Sequence, residues 1–538
     1  MTALQNVHWV LCIGKTAYQY GGMASATTPT MARKHTTSAD LRLGLTADMV
    51  NQQSYDNAVK RFAEQKITLP TFAQMADPTL VDSSKTAGLS DVDPDSPNAA
   101  NLWRVNWFNG ADRKSRVEVP VHVVLPPSLT GVDATIVVML GNKFPMIRAH
   151  KVQAAYAVLA PRLVTGQFDP TSQRAIWPST GNYARGGVAI SRIMNCRGTA
   201  VLPEGMSKER FDWLAEWTED PADIIRTYGT ESNVKEIYDA CNTLAKDPQN
   251  VILNQFSEFA NYAGHYTVTG KALVTVFEHV SAQAGSQRHL KLRAFTSATG
   301  SAGTIGAGDY LKEQYGTMIV ACEALECPTM LMNGFGEHNI QGIGDKHIPL
   351  IHNVMNTDAV VAISDKATDN LDILFNTAAG HAYLRDRLGV PGSVIEQLTH
   401  FGYSAICNTL AAIKTAKEHR MSADDVIVTV ATDGSELYPS EREKFLARDY
   451  PQGFDSSAAA EVAGRYLLSV DSENLLQLRE FDRNRIFNLG YYTWVEQQNI
   501  AFEDFEARRN QSWWEGVRAL VPLWDERINE FNAATGMV

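Results

Sequence analysis

The chain reads Arg148-Ala149-His150-Lys151 at the start of the apolar run Val152-Gln153-Ala154-Ala155-Tyr156-Ala157-Val158-Leu159. This pattern predicts a packed helix with a lysine at its first turn. Further along the chain follows the polar loop Ser179-Thr180-Gly181-Asn182-Tyr183. A lysine opposite a loop of small hydrogen-bonding residues is a way to hold a carbonyl cofactor and to present a carboxylate-bearing substrate to it.

The composition is that of an ordinary globular protein. The 538 residues are 44% hydrophobic and 20% charged, and this length predicts two or three structural units. The net charge of -12 disfavours general binding to nucleic acid or to an anionic membrane. No apolar run reaches the length of a membrane span. The composition therefore favours chemistry on a small molecule.

The six cysteines are scattered, with no CxxC pair and no Cys/His spacing typical of a metal site. The first residues lack the basic segment of a signal peptide. These features predict a reduced, cytoplasmic protein without a structural metal.

The sequence divides into four predicted regions. They are a flexible N-terminal tail (1–38, with Met31 as a candidate start), a helical extension (39–100), a catalytic core of two α/β subdomains (101–440) and a helical C-terminal extension (441–538). In the core, apolar strand-like runs alternate with helical segments, which predicts a parallel sheet covered on both faces and ligand sites at the carboxyl ends of its strands. Strands are expected to stop near residue 441. The charged, tryptophan-containing tail reads as an amphipathic cap or a dimer contact.

A glycine-rich loop, Thr299-Gly300-Ser301-Ala302-Gly303-Thr304, follows a predicted strand and precedes a predicted helix. Backbone amides at a helix N-terminus, with nearby hydroxyls, can bind a phosphate. The run matches neither a Walker lysine motif nor the usual dinucleotide fingerprint, which counts against ATP and NAD.

Over roughly residues 100 to 440 the chain resembles the fold-type II pyridoxal-phosphate enzymes of the cysteine synthase and cystathionine β-synthase group. The motifs that carry the resemblance occur in the family's order, and they are Lys151, Ser179-Thr180-Gly181-Asn182, Asn254-Gln255-Phe256 with His265-Tyr266, Gly300 to Thr304, His338-Asn339-Ile340-Gln341-Gly342-Ile343-Gly344, Gly402-Tyr403-Ser404-Ala405 and Asp433-Gly434-Ser435-Glu436-Leu437-Tyr438. The resemblance implies a two-domain, parallel-sheet core like that of tryptophan synthase β, with helical N- and C-terminal extensions.

The resemblance also implies a role for each site residue. Lys151 would carry pyridoxal 5′-phosphate as a Schiff base and then act as the base at Cα of the substrate. Asn182 would donate to the ring oxygen O3′ of the cofactor. Ser404 would place a neutral hydroxyl at the ring nitrogen, which favours loss of a β-substituent over transamination. The phosphate group would be held by Gly300, Ser301, Ala302, Gly303 and Thr304, and the substrate carboxylate by Ser179, Thr180, Gly181, Tyr183 and Gln255.

A second lysine, Lys143 in Gly141-Asn142-Lys143, is the alternative Schiff-base residue. It lies 39 positions before Asn182 (182 − 143), whereas Lys151 lies 31 positions before it (182 − 151). The shorter separation fits the family better and favours Lys151.

Several residues depart from the family pattern and leave the substrate open. Arg148-Ala149-His150 replaces the usual Gly and Ser, Tyr183 stands where cysteine synthases have threonine, and Asp345-Lys346-His347 interrupts a stretch of small and aromatic residues. Tyr183, Arg185 and His150 are candidate selectivity residues.

The expected function is a lyase or β-replacement enzyme that acts on an amino acid with a leaving group on Cβ through an aminoacrylate, with a thiol or sulfide as the nucleophile. The alternatives are a serine/threonine dehydratase-like ammonia lyase and a catalytically silent scaffold of the same fold. A homodimer is expected, with no nucleic acid, membrane or metal partner.

Overall fold

The computed structural model describes residues 38–285 and 288–537. The tail expected for residues 1–38, with its candidate start Met31, lies outside the described residues except for Ser38, where the first helix begins. No helix in this described part combines the length and the apolarity needed to cross a bilayer.

The strands build two sheets. In chain order they are β1 (His122–Leu125), β2 (Thr135–Leu140), β3 (Arg174–Pro178), β4 (Arg197–Pro203), β5 (Ile224–Thr227), β6 (Asn250–Ile252), β7 (Lys291–Ala298), β8 (Met318–Ala324), β9 (Ala359–Ile363), β10 (Asp425–Ala431) and β11 (Leu475–Gln477). The larger sheet has the order β1-β2-β10-β7-β8-β9-β11, and the smaller sheet has the order β5-β4-β3-β6.

The helices cover these sheets and extend from them at both ends. Before the strands lie α1 (Ser38–Arg42), α2 (Gln52–Gln65), α3 (Phe72–Ala76) and α4 (Ser83–Thr86). Between the strands lie α5 (Pro127–Thr130), α6 (Lys151–Val164), α7 (Asn182–Ile193), α8 (Lys208–Trp217), α9 (Val234–Leu244), α10 (Phe259–Gly264), α11 (Gly270–Gln283), α12 (Ile305–Tyr315), α13 (Thr329–Met332), α14 (Asp365–Asn376), α15 (Ala378–Asp386), α16 (Gly392–Leu398) and α17 (Tyr403–Glu418). The C-terminal helices are α18 (Pro439–Asp449), α19 (Ser456–Ala463), α20 (Glu480–Tyr491), α21 (Phe502–Ala507), α22 (Gln511–Arg518) and α23 (Leu520–Ala534).

The α/β class and the parallel core are confirmed. Strand β2 (TIVVML) and strand β9 (AVVAI) are apolar along nearly their whole length, and almost every residue in them is buried. Such strands require cover on both faces, which the crossover helices provide. All pairs in the smaller sheet are parallel, as are those linking β2, β10, β7, β8 and β9.

The prediction that strands stop near residue 441 is wrong. Strand β11 pairs antiparallel with β9 at the edge of the larger sheet, with Leu475 opposite Val361. Strand β11 has only three residues, Leu475–Gln477, which is too few to predict a strand from the sequence. Its pairing partner lies more than a hundred positions earlier in the chain. The tail therefore completes the sheet as well as capping it.

Three tryptophans of the C-terminal extension are buried within the chain. The side chains of Trp494, Trp514 and Trp524 are no more than 2% exposed. Trp524 Nε1 donates to the carbonyl oxygen of Thr46 over 2.9 Å, and its ring lies 6.0 Å from that of Phe72. Phe72 in turn contacts Tyr156 on α6. The extension thus supports the helix that begins with Lys151.

We expect Trp524→Ala to lower the free energy of unfolding by about 3 to 5 kcal/mol, the usual result of truncating a buried tryptophan. The matched control is Leu523→Ala, because Leu523 is 44% exposed and truncation of an exposed side chain changes stability by only about 0.5 kcal/mol. Equilibrium unfolding in urea measures both. Equal midpoints for the two variants would contradict this account of the extension.

Candidate active site

One pocket between the two sheets collects most of the predicted site residues. It is lined by Lys151, Ser179, Thr180, Asn182, Tyr183, Gln255, Phe256, Gly300, Ser301, Gln341, Gly342, Ser404 and Thr432. The loops that supply them follow the carboxyl ends of β3, β6, β7 and β10, the edge where parallel sheets bind ligands. The remaining predicted residues, Gly181, Ala302, Gly303 and Thr304, lie in the same two loops.

Lys151 is the first residue of α6 and its amine is buried in the pocket. Its Nζ donates to Gln255 Oε1 over 3.3 Å and to Ser301 Oγ over 3.2 Å. Burial lowers the pKa of Lys151 to about 8, although the nearby carboxylates of Asp345 and Glu231 oppose this shift. A fraction of the amine is therefore neutral near pH 7, as a nucleophile or a base requires.

The chain enters α6 through strained backbone. Met146 and Arg148 have positive φ angles of 64° and 51°. Arg148 is held by Asp95, whose Oδ2 accepts from its Nη2 over 2.9 Å. The following residue, Ala149, forms an antiparallel bridge with Asp433. These contacts fix the position of the segment that leads into Lys151, the first residue of α6.

The alternative lysine, Lys143, lies outside the pocket lining. It belongs to a turn after β2, and its Nζ is 3.4 Å from His400 Nε2. Burial lowers its pKa too. The placement of the two amines relative to the glycine loop favours Lys151.

The loop after β3 is shaped by one glycine and one serine. Gly181 has a φ of +149°, and a Cβ there would lie 2.7 Å from Arg210 Cδ. Ser179 Oγ accepts from the amide of Gly181 over 2.9 Å and from Gln255 Nε2 over 3.3 Å. The loop therefore presents Ser179 and Thr180 to the pocket next to Gln255.

Asn182 is already engaged with two buried residues that the sequence did not assign to it. Its Nδ2 donates to Asp433 Oδ2 over 2.5 Å, and its Oδ1 accepts from Arg185 Nη1 over 3.1 Å. The guanidinium of Arg185 also stacks over Trp213 at 4.9 Å. Arg185 thus orients Asn182 and lies outside the pocket lining.

The two other candidate selectivity residues differ in position. Tyr183 lines the pocket, and its hydroxyl donates to the carbonyl oxygen of Leu253 over 3.1 Å. His150 lies behind the lysine, with its ring 5.2 Å from that of His265 and 5.5 Å from that of Trp107. Burial lowers the pKa of both histidines, to about 3 for His265. His150 therefore packs as a neutral ring away from the substrate.

The glycine loop has the features of an anion cradle. A Cβ at Gly300 would collide with the carbonyl oxygen of Gly342, and one at Gly303 would lie 2.5 Å from Asn261 Oδ1. Ala302 has a positive φ of 62°. The amides of residues 300–304 donate to no acceptor among the described residues. Free amides at the start of α12 fit a phosphate group.

Ser404 lies in the first turn of α17 and lines the pocket. The residue is buried, with 3% of its surface exposed. A neutral hydroxyl in this position fits an uncharged ring nitrogen. Together the lysine, the anion cradle and the hydroxyl fit pyridoxal phosphate.

Sequence reasoning assigned no role to three charged residues beside the pocket, although Asp433 belongs to one of the motifs that carry the resemblance. Glu231 follows β5, Arg210 lies on α8, and Asp433 follows β10; all three are buried. Their positions in the sequence could have indicated a site, because Glu231 and Asp433 follow strands of a parallel sheet and Arg210 lies on the helix that faces the polar loop. Asp345 was noticed only as a departure from the family pattern.

Comparison with known proteins agrees with this geometry. The profile of the family described as pyridoxal-phosphate dependent enzyme matches residues 128–370. Cystathionine β-synthase of Saccharomyces cerevisiae is 24% identical over 304 residues, which cover 54% of each chain, so the match spans about half the length of that relative. Cysteine synthase B of Campylobacter jejuni is 28% identical over 47% of this chain and 76% of the relative.

A solved structure supports the fold. The hydrogen sulfide-producing enzyme of Fusobacterium nucleatum, determined with an α-aminoacrylate intermediate, superposes with a TM-score of 0.51 and 21% identity over 66% of this chain and 96% of its own. The chain thus shares the fold of that enzyme, and over residues 128–370 it is similar to pyridoxal-phosphate-dependent enzymes. The curated relatives that it resembles over about half of its length are a cystathionine β-synthase and a cysteine synthase.

We expect attachment of pyridoxal phosphate to the cofactor-free protein to accelerate about tenfold per pH unit up to about pH 8 and then to level off, since only the neutral amine reacts with an aldehyde. A lysine of ordinary pKa would keep accelerating to about pH 10. Stopped-flow absorbance between pH 7 and pH 10 measures the rate. A tenfold rise between pH 8 and pH 9 would contradict the lowered pKa.

Proposed function

We propose that the enzyme eliminates a group from Cβ of an amino acid and adds a nucleophile of the thiol or sulfide type in its place. The observation that carries the proposal is the amine of Lys151, buried between Gln255 and Ser301 in a pocket that Ser404 also lines. The names of the cysteine synthase relatives support the same chemistry.

The residues of the pocket would divide the work. The neutral amine of Lys151 would take the proton from Cα. The loop that begins at Ser179 and Thr180, with Gln255, would hold the substrate carboxylate, and the amides of residues 300–304 would hold the cofactor phosphate. Bound pyridoxal phosphate supplies the electron sink for the negative charge that develops at Cα.

Ser404 would decide the fate of that charge. A hydroxyl leaves the ring nitrogen unprotonated, so less charge spreads into the ring and departure of the β-substituent competes well. Ser404 is buried at the start of α17.

We therefore expect Ser404→Asp to reduce β-replacement relative to transamination by about tenfold or more, because an adjacent carboxylate raises a cationic pKa by about 1 to 3 units. Ser404→Ala is the control that removes the hydroxyl without adding charge. Product analysis for the replacement amino acid and for pyridoxamine phosphate, which only transamination forms, measures the ratio. An unchanged ratio in the aspartate variant would remove Ser404 from this role.

The proposal is tested with O-acylated serines and sulfide. Holoenzyme is expected to form the replacement amino acid, and Lys151→Ala is expected to form none. Keto acid and ammonia without replacement product would favour the dehydratase alternative. The loop Ser179-Thr180-Gly181-Asn182-Tyr183 also resembles the corresponding loop of serine/threonine dehydratases. A cofactor-loaded enzyme that yields neither product would contradict the proposal.

A cytoplasmic location and a homodimer stay predictions. All cysteines in the described part of the chain are free and buried, which is compatible with a reducing compartment. Light scattering of the purified protein measures the oligomeric state.

A further inference from the structure

Two buried carboxylates approach the pocket from opposite halves of the molecule. Glu231 follows β5 of the smaller sheet and is 1% exposed. Asp345 lies in the loop between β8 and β9 of the larger sheet and is 7% exposed.

Neither carboxylate has a full set of well-formed hydrogen bonds from the protein. Both oxygens of Glu231, and Oδ2 of Asp345, are buried without a hydrogen-bond partner among the described residues. Burying a polar group without a partner destabilises the fold, and burying an ionised one destabilises it more. Native structures therefore rarely leave such groups unpaired unless a ligand completes them.

Both carboxylates border the pocket. Thr180 and the backbone of Gly342, which line it, are close enough to Glu231 to interact with its carboxylate. Asp345 lines an adjoining cavity that shares Gly300 with the pocket. The pKa of Lys151 responds to both carboxylates, which places them within electrostatic reach of the reacting amine.

The charges that face this pair do not neutralise it. Glu231 faces Arg210 and Asp433, and Asp345 faces Lys151. Arg210 already contacts the hydroxyl of Tyr438 at 3.1 Å and lies 3.9 Å from Asp433 Oδ2. Lys151 would be occupied by the cofactor and the substrate proton. Burial raises the pKa of Glu231 to about 7, and burial together with repulsion from Glu231 raises the pKa of Asp345 well above its usual range.

Contacts at the rim hold the two loops together. Thr230 Oγ1, next to Glu231, donates to Glu337 Oε2, and Lys346 Nζ, next to Asp345, donates to Glu337 Oε1 over 2.6 Å. The loops thus meet across the cleft and bring like charges together. A cation between the two carboxylates would remove the repulsion and stabilise this closed arrangement.

We propose that Glu231 and Asp345 bind an ammonium group carried by the nucleophile, so that the enzyme selects amine-bearing thiols over neutral or anionic ones. This inference rests on the proposed β-replacement function. The two carboxylates lie on the side of the pocket that Thr180 and Gly342 border, next to the substrate loop.

The test compares three thiols of similar size and different charge on the holoenzyme, namely cysteamine, 2-mercaptoethanol and mercaptoacetate. The quantity measured is the ratio of kcat/KM for cysteamine to that for 2-mercaptoethanol. Sulfide, which carries no amine, is the reference nucleophile. Glu231→Gln and Asp345→Asn should each lower this ratio about tenfold to a hundredfold, the usual effect of removing one charged hydrogen bond. Comparing each ratio with that of the unmodified enzyme cancels the intrinsic reactivity of the thiols. Glu204→Gln, an exposed glutamate at the end of β4, is the matched control and should leave the ratio unchanged.

A second measurement does not depend on turnover. Propylammonium ions should raise the melting temperature of the unmodified holoenzyme and of Glu204→Gln, because a ligand of the native state stabilises it. They should not raise that of Glu231→Gln or Asp345→Asn, and propionate should raise none of them. If sulfide adds normally while the ratio and the melting shift are the same in all variants, the inference is overturned and the proposed function stands. If sulfide does not add at all, the proposed function fails, and the melting temperatures alone decide the inference.

Discussion

Replacing Lys151 with alanine is expected to abolish covalent attachment of the cofactor and to lower the rate of β-replacement by about a thousandfold or more. Loss of a positioned acid or base alone lowers rates by about 10² to 10⁴, and this variant also loses the nucleophile that holds the cofactor. No other amine lies beside the glycine loop among the described residues, since Lys143 contacts His400. Borohydride reduction followed by peptide mass spectrometry measures attachment directly.

Lys143→Ala is the matched control for this substitution. It removes an amine of the same kind, whose pKa is also lowered by burial, without touching the pocket lining. The labelled peptide should therefore contain Lys151 in the control and disappear in Lys151→Ala. The reverse pattern, with label retained in Lys151→Ala, would move the Schiff base to Lys143.

The parallel core was predictable because its determinants are local. Strands such as β2 and β10 are short apolar runs between polar turns, and their burial on both faces follows from composition alone. The two glycine-containing loops were predictable for the same reason. At Gly181 and Gly303 a side chain would collide with Arg210 or Asn261, so the required residue type is visible in the sequence even though its neighbour is not.

The charged surroundings of the site were not predictable because they are brought together by long-range packing. Glu231, Arg210 and Asp433 lie in three separate regions of the chain, and each looks like an ordinary loop or helix residue. Only the closure of the smaller sheet on the larger one buries them together. The contact between Asn182 and Asp433 likewise joins residues that are 251 positions apart.

The packing of the C-terminal extension could not be predicted from the spacing of its apolar and charged residues. Charged residues surround Trp514 and Trp524, so the sequence predicts an amphipathic surface without specifying what covers it. In the structure Trp524 meets Phe72 of α3, and Trp514 packs against Phe259 and Tyr262 of α10. Strand β11 was missed because its pairing with β9 depends on the same packing.

The second large effect is expected at the glycine loop, where Gly303→Val should weaken cofactor binding by about 10² to 10⁴, the equivalent of losing two charged hydrogen bonds. A Cβ at this position lies 2.5 Å from Asn261 Oδ1. Asn261 cannot move freely, because its Nδ2 donates to the carbonyl oxygen of Gln255 and to Ser301 Oγ. The loop must therefore shift, and the amides of residues 300–304 leave the positions in which they converge. Equilibrium titration of cofactor-free protein with pyridoxal phosphate measures the dissociation constant.

The same substitution should also disturb the hydrogen bonding of the Lys151 amine. Ser301 Oγ accepts from Lys151 Nζ and from Asn261 Nδ2, so displacement of the loop removes one of the two hydrogen bonds that hold the amine. Gly516→Ala on α22 is the matched control, because a Cβ there meets no atom within 4 Å and alanine suits a helix interior. It should bind the cofactor normally. Because free pyridoxal reacts with the same amine but carries no phosphate, its affinity should fall far less in Gly303→Val than that of pyridoxal phosphate. An equal loss for both ligands would mean that the loop positions the lysine without binding the phosphate.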